Sequence, residues 1–471
     1  NCPANVNIPG YIALINEEKY ADAVNLIRED NPFPTACAFV CEKPCESQCR
    51  RCLIDSQINI RGLKKFAVDQ IAVDQVPIPK RNVDTGKRVA VIGGGPSGLT
   101  CAYFLSRMGH SVVVYEGKEK LGGMLRYGIP NYRLPKDRLD QDIDALLAVG
   151  GIEVKLNSMV GRDFTIEEIE NEYDAVYVSI GAQKGKVTPI KNHDNPGVSS
   201  AMDMLDQVAH GNIPDFTGKH VVVIGGGNVA MDCSRTAVRC RAASVTVVVR
   251  RRQEDMTALP SEIQSAIEEG VELRTLFAPS EVKLDENGKV TALITQPQIT
   301  GHYDERTGTP TVRDADKPPY EIPCDLIFMA IGQSIESEPF AKYGISSKMN
   351  FVTDNTTAIK EHPGVFAGGD CVTGPATAIM AIGTGKIAAI NIDEYLGYHH
   401  EYHSNIEIPE AKQNMRSHFG RVQLTERSAR ERRINFEPVE NGMSHEEAMQ
   451  ESGKCLRCDV FGSGKMEGGM V

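Results

Sequence analysis

Five cysteines crowd one short stretch of this chain, as Cys37, Cys41, Cys45, Cys49 and Cys52. Thiolates at the spacing Cys41-x3-Cys45-x3-Cys49-x2-Cys52 are ligands for iron–sulfur clusters, and a 4Fe–4S cluster usually takes four. Zinc is the other metal that such a set suits. Cys2 precedes the group, and a Cys-x-x-Cys pair, Cys455 and Cys458, lies near the far end. The remaining thiols, Cys101, Cys233, Cys240, Cys324 and Cys371, read with Cys37 as small buried filler. The histidines show no metal spacing, and His399-His400 reads as solvated loop.

Two glycine-rich loops offer a second chemistry. In Val89-Ala90-Val91-Ile92-Gly93-Gly94-Gly95-Pro96-Ser97-Gly98, an apolar strand runs into a tight turn and a helix. Gly93 permits the turn, Gly95 lets backbone approach a pyrophosphate, and Gly98 lets helix and strand pack closely. The pyrophosphate then meets unpaired N–H groups at the helix N-terminus. Glu116 ends the next strand, and its carboxylate suits ribose hydroxyls, so this site fits the adenosine of FAD or NAD. The second loop runs from Val221 through Gly225, Gly227, Asn228 and Val229 to Ala230. Its next strand ends in Arg250-Arg251-Arg252, where guanidinium groups replace the acid. That argues for NADP, whose 2′-phosphate guanidinium binds.

The expected elements position these loops. Apolar spacing predicts helices in Tyr11–Ile15, Tyr20–Ile27 and Ile60–Val73, with the cysteines in an irregular segment between the last two. Strand Arg88–Ile92, helix Ser97–Met108 and strand Ser111–Tyr115 form one β–α–β unit; His220–Ile224, Asn228–Arg239 and Ser244–Val249 repeat it. A strand over Leu326–Ala330 and a helix over Ala376–Ile392 follow. The fold class is α/β: two Rossmann-like dinucleotide-binding domains, the FAD domain interrupted by the NADP domain, preceded by an α-helical iron–sulfur domain. The expected boundaries are 1–80 for the iron–sulfur domain, 81–195 and 331–398 for the two parts of the FAD domain, 196–330 for the NADP domain, and 399–471 for a C-terminal extension.

Composition bounds the function. With 51 basic and 63 acidic side chains, the net charge of −12 argues against nucleic-acid binding. No apolar run is long enough for a membrane span and no secretory signal opens the chain, so the expectation is a cytoplasmic protein. The start at Asn1 points to a native N-terminus elsewhere. The basic stretch Arg416, Arg421, Arg427, Arg430, Arg432 and Arg433 reads as a solvated helical face or a partner-docking site.

With these motifs in order, the chain resembles the family of the small subunit of NADPH-dependent glutamate synthase. That family includes the NADPH-side subunits of ferredoxin-linked transhydrogenases and the N-terminal part of dihydropyrimidine dehydrogenase. The string from Gly122 to Lys136, the Cys2–Pro9 and Cys41–Cys49 segments and Gly368-Gly369-Asp370 carry the resemblance. It implies FAD contacts at Gly93, Gly95, Pro96, Ser97, Gly98, Glu116, Gly122, Gly123, Met124, Arg133, Val160, Gly369, Asp370, Ala376, Thr377 and Ala378. Asp370 would accept hydrogen bonds from the ribityl chain. It implies NADP contacts at Gly227, Asn228, Val229, Arg250, Arg251, Thr257, Ala330, Ile331 and Gly332, beside Gly225 and Ala230 of the loop itself.

The resemblance also implies one 4Fe–4S cluster on Cys2, Cys41 and Cys45, completed by a Glu or Gln, and a second that includes Cys49. This chain departs twice. Gly62-Leu63-Lys64-Lys65 carries lysine where the Glu or Gln would fall, so Cys52 is expected to replace it. The other cysteines of the second cluster are absent ahead of Cys2, but Ala448–Asp459 looks like the opening of the same module. Cys455 and Cys458 are therefore expected to join Cys49 or a partner chain, or else to form an idle pair on a flexible tail.

The implied activity is an NADP(H)-linked flavin and iron–sulfur oxidoreductase subunit in a hetero-oligomer, exchanging electrons with other redox subunits or ferredoxin. A ferredoxin/NADH:NADP transhydrogenase-type complex is the first expectation and the glutamate synthase small subunit the second. A thioredoxin-reductase-like disulfide reductase and a non-catalytic relay subunit stand behind them. No catalytic acid or base is expected, because the cofactors carry the chemistry.

Overall fold

The computed structural model describes residues 2–72, 75–305, 308–346, 350–402, 404–411, 418 and 420–461. Arg416 and Val73 lie outside them. The chain opens with helices Ile8–Asn16, Tyr20–Arg28, Pro34–Val40 and Ile60–Gln70. Asn7 and Asn59 cap the first and last, their side chains accepting from Gly10 N and Gly62 N. Tyr11, Leu14, Ile15, Ile27, Leu63 and Ala67 are fully buried where these helices meet. The third helix was not expected. Pro34 opens it at a position where a missing N–H is harmless, so Cys37 is helical and Cys41 terminates the helix.

Two five-stranded sheets follow, each entirely parallel. The first has the order Val365–Ala367, Ala175–Val178, Arg88–Ile92, Ser111–Tyr115, Ile152–Lys155. The second has Val198–Ser200, Leu326–Met329, His220–Ile224, Ser244–Val249, Glu272–Thr275. Helices cover both faces, so the central strands are nearly continuous apolar runs. Strand Val365–Ala367 returns to the first sheet after the whole second sheet is complete. The sequence reading omitted an antiparallel sheet of Phe277–Leu284, Val290–Asp304, Thr309–Asp314 and Tyr320–Pro323. Its strands are largely half-exposed and mix polar with apolar residues. Among the described residues, no helix is long and apolar enough to cross a membrane.

The C-terminal extension is packed, not loose, over its described residues. Helix His445–Gly453 lies on helices Ile8–Asn16 and Ile60–Gln70. The buried Glu451 carboxylate accepts from Asn59 N at 2.7 Å and Val422 N at 2.8 Å. The basic stretch turns inward as well. Arg421 pairs with Glu46 at 2.6 Å, and the buried Arg432 meets Glu268 and Glu269 at 2.8 and 3.0 Å and also Glu426. These two arginines are mortar between segments, which corrects the reading of a solvated or docking face for them. His400 is also no solvated loop residue. Its Nδ1 lies 2.7 Å from Asp393 Oδ1, and His110 Nε2 lies 2.8 Å from the same oxygen.

Glu269 is the hub of a buried charge cluster. Arg235, Arg239 and Arg432 all reach it. Burial pushes its carboxyl up, but the hydrogen bonds from Arg239 and Arg235 outweigh that and hold it below the usual range. Glu269→Gln would leave three guanidiniums facing a neutral amide. Stability should fall by about 3–5 kcal/mol, read as a lower urea midpoint; an unchanged midpoint contradicts the role of this cluster.

Candidate functional site

Strand Arg88–Ile92 ends at Gly93, whose φ of +109° is open only to glycine without strain. Gly95 then caps helix Pro96–Arg107, and no side chain bonds to the first-turn N–H groups. A second glycine turn comes up against this loop: Gly122 N donates to Gly94 O at 2.8 Å. A Cβ at Gly123 would lie 2.8 Å from Gly95 Cα, so the two backbones touch. Beside them opens a cavity of about 560 Å³, lined by Gly93, Gly95, Pro96, Ser97, Glu116, Gly123, Met124, Val160, Gly369 and Asp370. Glu116 is buried and accepts from Gly94 N and Lys118 N, both at 2.8 Å. Burial pushes its carboxyl up. Burial also pushes Asp370 up to about 6, against one hydrogen bond from Ala376 N at 3.2 Å. Both carboxylates keep lone pairs for ligand hydroxyls, which fits a ribose and a ribityl chain.

Several expected residues do not line this cavity. Gly98 and Gly122 shape the backbone behind it. Thr377 caps helix Ala378–Tyr395, its side chain accepting from Met380 N, and Ala378 is the first residue of that helix. Arg133, expected at FAD, does not line the cavity either. Its guanidinium makes a two-pronged contact with Asp232 at 3.0 and 2.8 Å and reaches Glu262 at 3.2 Å. Those acids belong to the second dinucleotide unit, so Arg133 joins the two units. The sequence reading missed Ser179, Ile180 and Gly181, which line the cavity after strand Ala175–Val178. The signal was present: Ser179-Ile180-Gly181 mirrors Ala330-Ile331-Gly332, each a turn at the end of a sheet strand.

The second cavity, of about 800 Å³, is lined by Gly225, Gly227, Asn228, Val229, Arg250, Arg251, Thr257, Ala330, Ile331 and Gly332. Ala230 is buried in the helix behind the loop. Arg252 is taken up by Asp255, at 2.7 Å. Arg250 and Arg251 form no ion pair among the described residues, which leaves two guanidiniums in the cavity for a phosphate. Ala376 lines this second cavity and not the first. The two spaces share walls: Gln333 faces one and Ser334 the other, and Ala376 and Asp370 divide in the same way.

The thiols sort into two groups. Cys2, Cys41 and Cys45 line one small pocket with Tyr11, Lys64 and Ile379. Cys52, expected as the replacement ligand, is exposed and does not line it. The short helical turn Arg50–Leu53 points Arg51 inward, where it pairs with Asp55, and leaves Cys52 outside. Cys49 turns to the far end of the chain. Cys455 and Cys458 lie in the electrostatic reach of each other and of Cys49. Arg51 Nη1 fastens the junction by donating to Lys454 O at 3.2 Å. Burial pushes the Cys455 thiol up to about 12, a setting in which a thiolate needs a cation beside it.

The first turn of one helix borders both the first thiol group and the flavin-side cavity. In helix Ala378–Tyr395, Ile379 lines the cysteine pocket and Ala381 lines the cavity. A Cβ at Gly383 would sit 2.7 Å from Pro3 O, so the segment after Cys2 lies directly on this helix. The other dinucleotide loop touches the cysteine segment too, with Asn228 Nδ2 donating to Glu42 at 2.8 Å.

Residues 85–385 match the pyridine nucleotide-disulphide oxidoreductase family. The chain belongs to that family. Residues 1–76 match the 4Fe–4S domain II of dihydropyrimidine dehydrogenase. This member is thus an NADP-dependent flavoprotein oxidoreductase with FAD, NADP(H) and 4Fe–4S as its cofactors. The chain is 32% identical over 499 aligned positions to the NADP(+)-dependent formate dehydrogenase subunit beta of Moorella thermoacetica, covering 97% of this chain and 69% of that protein. It is 32% identical over 507 positions to the NADPH-Fe(3+) oxidoreductase subunit beta of Geobacter sulfurreducens, covering 97% and 74%. It is 32% identical over 415 positions to the glutamate synthase [NADPH] small chain of Escherichia coli, covering 84% and 87%. In fold it is similar to Mycobacterium tuberculosis FprA in complex with NADPH, with a TM-score of 0.57 at 18% identity over 66% of this chain and 85% of that one.

The two free arginines generate a test. A hydrogen bond to a charged group contributes about 1.5–3 kcal/mol. Replacing Arg250 and Arg251 with alanine should raise the KM for NADPH roughly 10- to 100-fold at about 1.4 kcal/mol per decade, with little change for NADH. Equal effects on both coenzymes contradict the assignment.

Proposed function

We propose that this chain is the NADPH-side subunit of a cytoplasmic hetero-oligomer, moving electrons between NADPH and a partner redox subunit through two iron–sulfur centres. The observation that carries this reading is the order of the sites. The arginine-bearing cavity adjoins the Glu116–Asp370 cavity, and the first turn of helix Ala378–Tyr395 borders both the latter and the pocket of Cys2, Cys41 and Cys45. The second thiol group, Cys49 with Cys455 and Cys458, extends the series toward a partner.

The chain's own residues bind, orient and exclude. Arg250 and Arg251 hold the 2′-phosphate, and the bare N-terminus of helix Asn228–Arg239 holds the pyrophosphate. Glu116 takes the FAD ribose and Asp370 the ribityl hydroxyls. Gly123 and Met124 close the first cavity beside its loop and keep water from the reacting rings. When bound, FAD supplies the two-electron exchange with nicotinamide and the one-electron exchange with iron. No side-chain acid or base needs to move a proton in the hydride step. The residues lining the flavin cavity include no cysteine, which speaks against a disulfide reductase. The intact arginine site speaks against a relay that binds no pyridine nucleotide.

Relatives named as beta subunits of a formate dehydrogenase and an Fe(3+) oxidoreductase align over 97% of the chain, and the glutamate synthase small chain over 84%. The fuller alignments favour a partner outside the glutamate synthase type. A ferredoxin/NADH-oxidising partner, as in a transhydrogenase complex, is the reading retained for its identity.

Two measurements test this. Anaerobic NADPH should bleach the flavin absorbance of the purified chain faster than NADH does; no bleaching favours the relay. Cys455→Ser/Cys458→Ser protein should lose about half of its iron and sulfide while keeping FAD. Unchanged iron content would remove the tail thiols from the centre.

A further inference from the structure

The pocket of Cys2, Cys41 and Cys45 offers three thiols to a cluster whose four irons each take a terminal ligand. No fourth thiol completes the lining. Cys52 is exposed, Cys49 belongs with the tail pair, and Cys37 does not line the space. Two other side chains bring a heteroatom to it, Tyr11 and Lys64. The Tyr11 hydroxyl is directed at a carbonyl, donating to Ile60 O at 3.4 Å. Lys64 has no such engagement. Its side chain is buried, and among the described residues it makes no hydrogen bond or ion pair with a carboxylate or carbonyl. A buried lysine is rare unless something pairs it. The next residue shows the ordinary arrangement: Lys65 pairs with Asp69 at 2.6 Å and lies over the Phe39 ring. Lys64 lines the pocket beside Cys2, Cys41 and Cys45, and those thiols together with Cys37 are the charged groups that act on it.

We propose that Lys64 is the fourth ligand of this centre, its Nζ bonded to the iron that Cys2, Cys41 and Cys45 leave without a terminal group. The inference rests on the reading of this pocket as a 4Fe–4S site. On assembly the lysine ammonium releases one proton to solvent and its nitrogen lone pair goes to iron, as ligand sites generally lose protons on binding metal. A neutral amine in place of a thiolate makes the cluster less negative by one charge. Its reduction potential then lies above that of an all-cysteine cluster in the same pocket.

The test is pulsed EPR on the reduced full chain, loaded with FAD and cluster and labelled with ¹⁵N at lysine Nζ. The Cys455→Ser/Cys458→Ser background confines the signal to this centre. A strongly coupled nitrogen that changes isotope with the lysine label is expected, retained in Lys65→Met and lost in Lys64→Met. Lys64→Cys should shift the midpoint potential to more negative values. Iron-replete protein with only weak nitrogen coupling would overturn the inference, because the lysine would then be a protonated neighbour. Loss of an oxygen-ligand signature in Tyr11→Phe would overturn it in favour of the phenol. Protein that binds no iron with Cys2, Cys41 and Cys45 intact would fail at the earlier step, the cluster reading itself. The labelled parent chain decides the matter even if a Lys64 variant does not fold.

Discussion

The carbonyl of Pro3 rests on helix Ala378–Tyr395 at a point where only a hydrogen leaves room for it, at Gly383. Two residues on, at Gly385, a Cβ would lie 2.2 Å from Ser97 O, which belongs to the first dinucleotide loop. One helix is thereby pressed between the cysteine segment and the flavin loop, in backbone contact with both. Any larger side chain at either glycine would push the two apart. Close packing here fixes the spacing between the cysteine segment and the cavity beside the first loop. Thr377 starts the helix at the cavity wall, and its first turn presents Ile379 to the thiols and Ala381 to the cavity.

A second constraint keeps the two dinucleotide units in register. Arg133 reaches from one unit to Asp232 and Glu262 of the other, and Arg235, Arg239 and Arg432 continue the network around Glu269. Ions so buried would destabilise the fold if left single, so each carboxylate is met by at least one guanidinium. The network recruits the C-terminal extension through Arg432 and Glu426. The extension then continues to helix His445–Gly453 and delivers Cys455 and Cys458 to Cys49. Residues from the two ends of the chain thus make one thiol group.

The glycine loops and their strands were legible because their chemistry is local. Strand Arg88–Ile92, turn and helix sit in one stretch, and their glycine, acid and arginine positions follow from it. All the residues expected at the second cavity except Ala230 line it. What was not legible depended on distance in the sequence. Nothing in the string around Arg133 shows that its partner is Asp232. Nothing around Cys52 shows that the neighbouring Arg51 claims the interior and turns the thiol out. The inward basic stretch could not be told from a surface one, since its acids, Glu46, Glu268 and Glu269, lie far upstream. The antiparallel sheet over 277–323 escaped because half-exposed strands carry a weak apolar alternation.

The central claim is that one turn of helix Ala378–Tyr395 stands between bound flavin and a cluster on Cys2, Cys41 and Cys45. Iron-edge anomalous diffraction from anaerobically grown crystals of the FAD-loaded chain addresses it directly. The account predicts an iron peak among those three sulfurs, with Ile379 between it and the flavin ring. An iron-free pocket, or a flavin seated away from Ala381 and Asp370, would contradict it.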